Sequence, residues 1–241
     1  MIVFPSVTAM CPTYGRVGLL EESVESFLRQ DYGGHRELVI VNDLPEQVLQ
    51  FEHPLVKVVN LPSRCLNLGE KRNEVARHAT CDLIITWGDD DIHLPGRISE
   101  NVAKHAHGKY VVEGSYFFDC APNFSKKNSG LCGPFLMSRE EFWGLGGIPS
   151  EDVGEDQSFL KLVRKSMAIV PTTKTTFVYR WNTGRYHISG HGFNNNAWEK
   201  VGASVQSMVS QGKEPRGEIT LRPHWKEDYV AKSIKCLEES V

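Results

Sequence analysis

The chain has 241 residues, 40% hydrophobic and 24% charged, with a net charge of -3, a composition that excludes a disordered polymer and a membrane-embedded bundle. No apolar run approaches the ~20 residues needed to span a bilayer. The start, Met1-Ile2-Val3-Phe4-Pro5, lacks the basic region and small-residue cleavage site of a signal peptide, so a cytoplasmic location is expected.

Val3 to Met10 is an apolar, β-branched run that predicts a first strand, followed by the turn-rich Cys11-Pro12-Thr13-Tyr14-Gly15-Arg16. Leu19, Leu20, Val24, Phe27 and Leu28 recur at helical spacing until Tyr32-Gly33-Gly34. Leu38-Val39-Ile40-Val41 reads as a strand buried on both faces, and Val56–Val59 as the next. A helix over Leu68–His78 leads into a buried strand, Leu83–Trp87. This alternation predicts a doubly wound α/β sheet, in which ligands bind beyond the carboxyl ends of the strands. After residue 108 the order changes. Lys109–Glu113, Ser115–Phe118, Leu131–Met137 and Thr175–Trp181 read as strands. A helix starts near Ser138 with Glu141 as its capping-box partner, and another covers Gln157–Lys165. Helical candidates at Asn196–Val209 and His224–Leu237 form a tail, and no linker separates it from the rest.

Three features carry chemistry. Gly88-Asp89-Asp90-Asp91 follows a buried strand, and three consecutive carboxylates repel one another unless a cation compensates them. Mg²⁺ or Mn²⁺ takes such oxygens together with substrate phosphates, whereas an exposed acidic loop is the plainer alternative. Residues 1–156 carry 14 Lys+Arg against 23 Asp+Glu, while residues 157–241 carry 13 against 7. An acidic front and a basic rear suit a site that holds a metal and meets phosphates. The six cysteines show no CxxC or zinc spacing and read as free buried thiols.

Five blocks, in order, resemble the family-2 glycosyltransferases: Cys11–Arg16, Val41-Asn42-Asp43, Gly69–Asn73, Asp89–Pro95 and Gly154-Glu155-Asp156-Gln157. The resemblance implies a GT-A fold, a mixed central sheet flanked by helices, over residues 1–190, with a helical extension over 191–241 packed on the same domain. It implies an inverting transferase that moves a sugar from a nucleotide donor, by resemblance a UDP-sugar, to an acceptor hydroxyl with Mn²⁺ or Mg²⁺. Pro12, Thr13, Tyr14, Arg16, Asp43 and Arg72 then surround the nucleotide. Asn42 stands where members often have a first aspartate, which leaves the base open. Asp89 and Asp90 approach nucleotide or sugar, and Asp90, Asp91, Asp89 and His187 are the metal candidates, with His191 in reserve. One frame of the triplet makes Asp90 the main ligand; the other pairs Asp89 with Asp91. Asp156 is the implied base with Glu155 beside it, and Glu151 and Asp152 are further acids. Arg180 and Arg185 could pair with phosphate, and Trp143 and Trp181 could stack on sugar or pack in the core.

The rival readings are a noncatalytic nucleotide-sugar or glycan-binding module on the same fold and a nucleotidyltransferase. A pure binder needs no base, and a nucleotidyltransferase would want a glycine-rich loop after the first strand, which Cys11–Arg16 does not supply. The chain also resembles compact enzymes encoded by bacteriophages, which would place it in the host cytoplasm. That resemblance adds a specific acceptor, a 5-hydroxymethylated pyrimidine in DNA, with Arg216, Arg222, Lys226, Lys232 and Lys235 on phosphates. Saccharides and other hydroxyl compounds are the remaining acceptors.

Overall fold

The structure is a computed structural model, and it describes residues 4–128, 133–151, 153–181 and 196–239. Its elements run β1 (Val7–Thr13), α1 (Val17–Leu28), β2 (Arg36–Asn42), β3 (Gln47–Gln50), β4 (Val56–Asn60), α2 (Leu68–Arg77), β5 (Leu83–Thr86), β6 (Ile92–His93), α3 (Arg97–Lys104) and β7 (Lys109–Val112). Then follow β8 (Ser115–Cys120), β9 (Asn123–Asn128), β10 (Phe135–Ser138), α4 (Arg139–Gly144), α5 (Glu155–Val163), β11 (Ala168–Pro171), β12 (Phe177–Arg180), α6 (Ala197–Ser210), β13 (Gly217–Thr220) and α7 (Tyr229–Glu238).

The main sheet has the strand order β11-β7-β10-β5-β1-β2-β4. Only β10 runs antiparallel to its neighbours, so the sheet is mixed. Alternate residues of each central strand feed two cores. Val7, Ala9, Cys11, Leu38, Ile40, Leu83 and Ile85 pack on Leu20, Val24 and Phe27 of α1 and Ile98 of α3. Met10, Val39, Val41 and Ile84 pack on Val75 and Ala76 of α2 and on Phe159 and Val163 of α5. Burial on both faces is why these strands read as unbroken apolar runs.

Several expectations shift. The first strand begins at Val7 and continues through Cys11, Pro12 and Thr13, which the sequence reads as a turn; Val3 lies outside the described residues. The helix expected from Gln157 begins two residues earlier, so Glu155 and Asp156 form its first turn. Ser138 caps α4 by accepting from Glu141 N, as the capping-box spacing predicts.

Two small sheets were not foreseen. One has the order β6-β12-β8-β9, and the other pairs β13 with β3 in parallel. The tail is therefore not purely helical. It packs on the body at three places: α6 through Val201, Val205 and Val209 against Tyr14 and Leu44, α7 through Tyr229 and Cys236 against Ile92, Phe117 and Val178, and β13 along β3. Cys11 and Cys81 are free thiols, buried as expected, whereas the free thiol Cys65 is half-buried. Among the described residues no helix is long and apolar enough to cross a membrane.

Candidate active site

The carboxyl ends of β1 and β5 and the amino end of α5 open onto one cavity of about 370 Å³. Its wall includes Pro12, Tyr14, Arg16, Arg72, Asp89, Asp90, Asp91 and Asp156 from the sequence-predicted set.

The acidic corner is braced from behind. Ser23 Oγ donates to the Gly88 carbonyl at 2.7 Å, and the backbone N–H of Arg180 donates to Asp91 Oδ1 at 3.1 Å. Arg180 Nε donates to the Asp90 carbonyl at 2.6 Å, while its Nη1 pairs with Glu22 at 2.6 Å. Arg180 thus holds the acid loop from beneath and is absent from the cavity wall, where the sequence had suggested a phosphate contact. Glu22 is fully buried and also accepts from Tyr229 Oη at 2.9 Å and Lys226 N at 3.1 Å. Burial pushes the Glu22 carboxyl up, but Arg180 and these hydrogen bonds more than offset it, leaving it below its usual value.

Arg16 reaches over the corner. Its Nε donates to Asp89 Oδ2 at 3.0 Å, its Nη2 to Asp89 Oδ1, and its Nη1 to Asp90 Oδ2 at 2.7 Å. Burial raises the Asp89 carboxyl despite Arg16, and burial together with the Asp90 charge raises Asp91 well above the usual range. Carboxylates held this way favour a cation. Among the described residues no three His, Cys, Asp or Glu side chains are grouped as a ready-made metal cage. Even so, Asp91 Oδ2 and Asp90 Oδ1 both lie beside Gly88: a Cβ there would be 2.7 Å from the first and 3.4 Å from the second. Hard oxygen donors on one short loop suit a divalent ion that takes its remaining ligands from phosphate and water. His187, with His191, Arg185 and Asp152, lies outside the described residues.

The opposite wall is aromatic and cationic. The Arg64 guanidinium sits 4.6 Å from the Tyr14 ring centroid and 4.1 Å from that of Trp198, and donates to the Trp198 carbonyl at 2.7 Å. Gly202 makes room for it, since a Cβ there would fall 2.0 Å from Arg64 Nη1. Asp43 does not reach the cavity wall. It is fully buried; Oδ1 accepts from Lys71 Nζ at 2.5 Å and Oδ2 from Cys65 N at 3.0 Å. Lys71 also donates to the Thr13 carbonyl and lines the cavity, so Asp43 and Thr13 fix a cation there.

Gly154, at φ 83°, turns the chain into α5 in a conformation that glycine adopts without strain. Glu155 points to Arg72, 3.1 Å from Nη2, and is nearly buried; burial raises its carboxyl against the pull of Arg72. Asp156 faces the cavity, with Oδ1 accepting from Gln157 N at 2.8 Å. The alternative acid Glu151 is exposed and accepts from Ser158 Oγ at 2.8 Å. Trp143 packs in the core against Phe142, and the exposed Trp181 lies tilted beside Tyr179 and Phe118.

Sequence reasoning missed Arg64, Lys71, Arg97, Tyr179 and Trp198, all on the cavity wall. Lys71 was open to detection: it precedes the buried Val75 by four residues on α2 and so shares its inward face.

The profile of "Glycosyl transferase family 2" matches residues 8–202, a span that includes every residue of the cavity wall from Met10 to Val201. The chain belongs to glycosyl transferase family 2. EpsE of Bacillus subtilis (strain 168), whose name gives glycosyltransferase as a provisional assignment, is 29% identical over 126 residues. That match spans 48% of this chain and 45% of EpsE, less than half of either. S. aureus TarS 1-349 in complex with UDP-GlcNAc superposes with a TM-score of 0.58 at 14% identity, covering 98% of this chain and 71% of that TarS 1-349 chain. Mannosyltransferase PcManGT from Pyrobaculum calidifontis, solved with GDP-Man and Mn²⁺, gives 0.55 at 17% identity, covering 98% and 80%. These likenesses give this family-2 chain the GT-A fold.

Proposed function

We propose that this chain transfers a sugar from a nucleoside diphosphate donor to an acceptor hydroxyl with inversion at the anomeric carbon. One observation carries the proposal: the acid triplet, the Asp156 carboxylate and the Tyr14–Arg64–Trp198 wall all face a single cavity. A purely binding site would not need a separate carboxylate across the same space.

In this reading the nucleoside packs on Tyr14 and Trp198, and Arg64 and Lys71 donate to its polar atoms. Arg72 and Arg16 face the diphosphate. Asp90 and Asp91 would hold Mn²⁺ or Mg²⁺, and Asp89 anchors Arg16. The ion supplies positive charge against the charge growing on the departing diphosphate. Asp156 accepts the acceptor hydroxyl's proton as its oxygen attacks the anomeric carbon from the face opposite the diphosphate. No covalent sugar–protein bond forms. Glu155 holds Arg72 in place.

The structural neighbours were solved with UDP-GlcNAc and with GDP-Man. A nucleotide sugar is therefore the donor class, and UDP-sugars are the first to test. Of the basic residues suited to nucleic-acid phosphates, Lys226 pairs with Glu22, Lys232 with Asp119 and Glu227, and Lys235 with Glu239. Arg216 and Arg222 are exposed. Hydroxymethylated DNA is thus one arm of an acceptor panel beside saccharides.

The test is nucleotide release from a panel of UDP- and GDP-sugars. Release that needs Mn²⁺ or Mg²⁺, stops with a chelator and returns on metal addition is expected. Absence of release from every donor in the panel, with acceptors and metal present, rejects the proposal.

A further inference from the structure

The small sheet β6-β12-β8-β9 has two unlike faces, because successive side chains of a strand point to opposite sides. Ile92, Phe117 and Val178 point one way and pack with Tyr229 and Cys236 of α7. The other face carries Phe177 and Tyr179 of β12, Trp181 just beyond it, and Tyr116 and Phe118 of β8, with Tyr179 beside Phe118 in the parallel register. Tyr116 to Tyr179, Tyr179 to Phe118, Phe118 to Trp181 and Tyr179 to Trp181 are each 6.1–6.3 Å apart, ring centre to ring centre. Exposure grows along β12: Phe177 is 2% exposed, Tyr179 is half-buried and Trp181 is 39% exposed. Phe177 and Tyr179 line the cavity, so the row starts inside it and ends on the surface. Arg180 stands between Tyr179 and Trp181, and its N–H bond to Asp91 Oδ1 at 3.1 Å fixes the row beside the acid loop.

We infer that this aromatic row is the acceptor's path into the cavity and that the acceptor is an oligosaccharide, its terminal sugar at Tyr179 and the sugars behind it on Phe118 and Trp181. The inference rests on the glycosyl-transfer reading above, in which the nucleoside has its own wall at Tyr14 and Trp198. A sugar ring offers an apolar C–H face and a rim of hydroxyls, so it suits aromatic faces with polar atoms set between them. The row supplies both. Lys127 and Ser125 of β9 stand opposite Tyr116 and Phe118 on the same face, and the two tyrosines bring hydroxyls. A lipid chain or an apolar helix laid here would desolvate those polar groups without bonding them. A nucleic acid also stacks on aromatic rings, but it wants a cationic groove tracking its backbone, and Lys127 is the one cation among the side chains named on this face.

The experiment titrates the full chain, with Mn²⁺ and UDP or GDP, with cellopentaose, maltopentaose, chitopentaose and mannopentaose and with their monosaccharides, reading binding by calorimetry. The same sugars and a hydroxymethylated DNA oligonucleotide are then tried as acceptors in the nucleotide-release assay. At least one pentasaccharide should bind about tenfold more tightly than its monosaccharide and stimulate release. Trp181→Ala should weaken that pentasaccharide about tenfold and leave the monosaccharide within twofold. Trp181→Phe should restore most of the loss and Trp181→Leu little of it, because stacking needs a ring and plain apolar contact does not. The side chain is exposed, so folding is not at stake, and affinity for the free nucleoside diphosphate should stay within twofold in all three variants. Three results overturn the inference while leaving glycosyl transfer standing, given donors that turn over: no pentasaccharide binds, Trp181→Ala leaves its affinity within twofold, or the DNA alone stimulates release. Pentasaccharide binding that depends on Trp181 without turnover of any donor overturns the glycosyl-transfer reading instead, and leaves the row a saccharide site with no acceptor role.

Discussion

The two walls of the cavity are built differently. The acidic wall grows from strand ends in the most buried part of the main sheet, and Arg16, Ser23, Arg180 and Glu22 hold it in place. The aromatic wall is assembled from side chains far apart in sequence: Tyr14 after β1, Arg64 in a loop, and Trp198 on α6. Groups that must meet a reacting bond within fractions of an ångström belong on a rigid scaffold. Groups that recognise a flat, stackable ring tolerate a looser one. On this view, damage to the first wall lowers kcat, and damage to the second raises KM.

The sharpest way to break the contrast is Asp156→Asn. Transfer should fall about 10²- to 10⁴-fold while donor affinity changes less than about twofold; single-turnover assays alongside donor titration separate the two. An undiminished kcat removes Asp156 as the base. Next comes the brace. Glu22→Gln leaves buried Arg180 without its charge partner, which should cost about 3 kcal/mol of stability at pH 7. The Glu22 carboxyl lies below its usual 4.5 in the folded protein, so its stabilisation is complete above that pH and fades as pH falls through the lowered value. The gap in melting temperature between wild type and variant should therefore close on acidification. A gap that stays constant from pH 7 to pH 3 contradicts this account of the brace.

Smaller effects sharpen the other wall. Trp198→Ala should raise the donor KM about tenfold with kcat nearly unchanged; a loss confined to kcat would mean the walls share one role. Gly202→Ala forces Arg64 to move and should raise KM about threefold, read in the same assay. Its kcat should match wild type.

How far the sequence revealed this molecule follows the same division. β1, β2 and β5 are legible because strands buried on both faces must be apolar throughout. The acid triplet stands out because like charges rarely adjoin without reason. By contrast, β9 is written Asn-Phe-Ser-Lys-Lys-Asn, polar because it lies at the edge of a small sheet, and nothing local marks it. β13 reads as loop because only its partner β3 makes it a strand. Arg64 and Trp198 meet across 134 positions, a distance no window or motif spans. Arg97 was hidden for another reason: an arginine in an unremarkable helix start reads as surface, and only the fold shows it sealed between two rings. Asp43 illustrates the converse. Its block was legible, but its partner was not, and Lys71 takes the carboxylate away from the cavity.

The Glu22 brace also bears on how the protein is made. Glu22 and Arg180 are closed over by Lys226 and Tyr229, contributed by the last helix and the segment just before it. A nascent chain halted on the ribosome before residue 226 could complete every strand of the main sheet and still leave the acidic loop of the cavity unbraced. Competence for chemistry would then arrive only after the scaffold itself had formed.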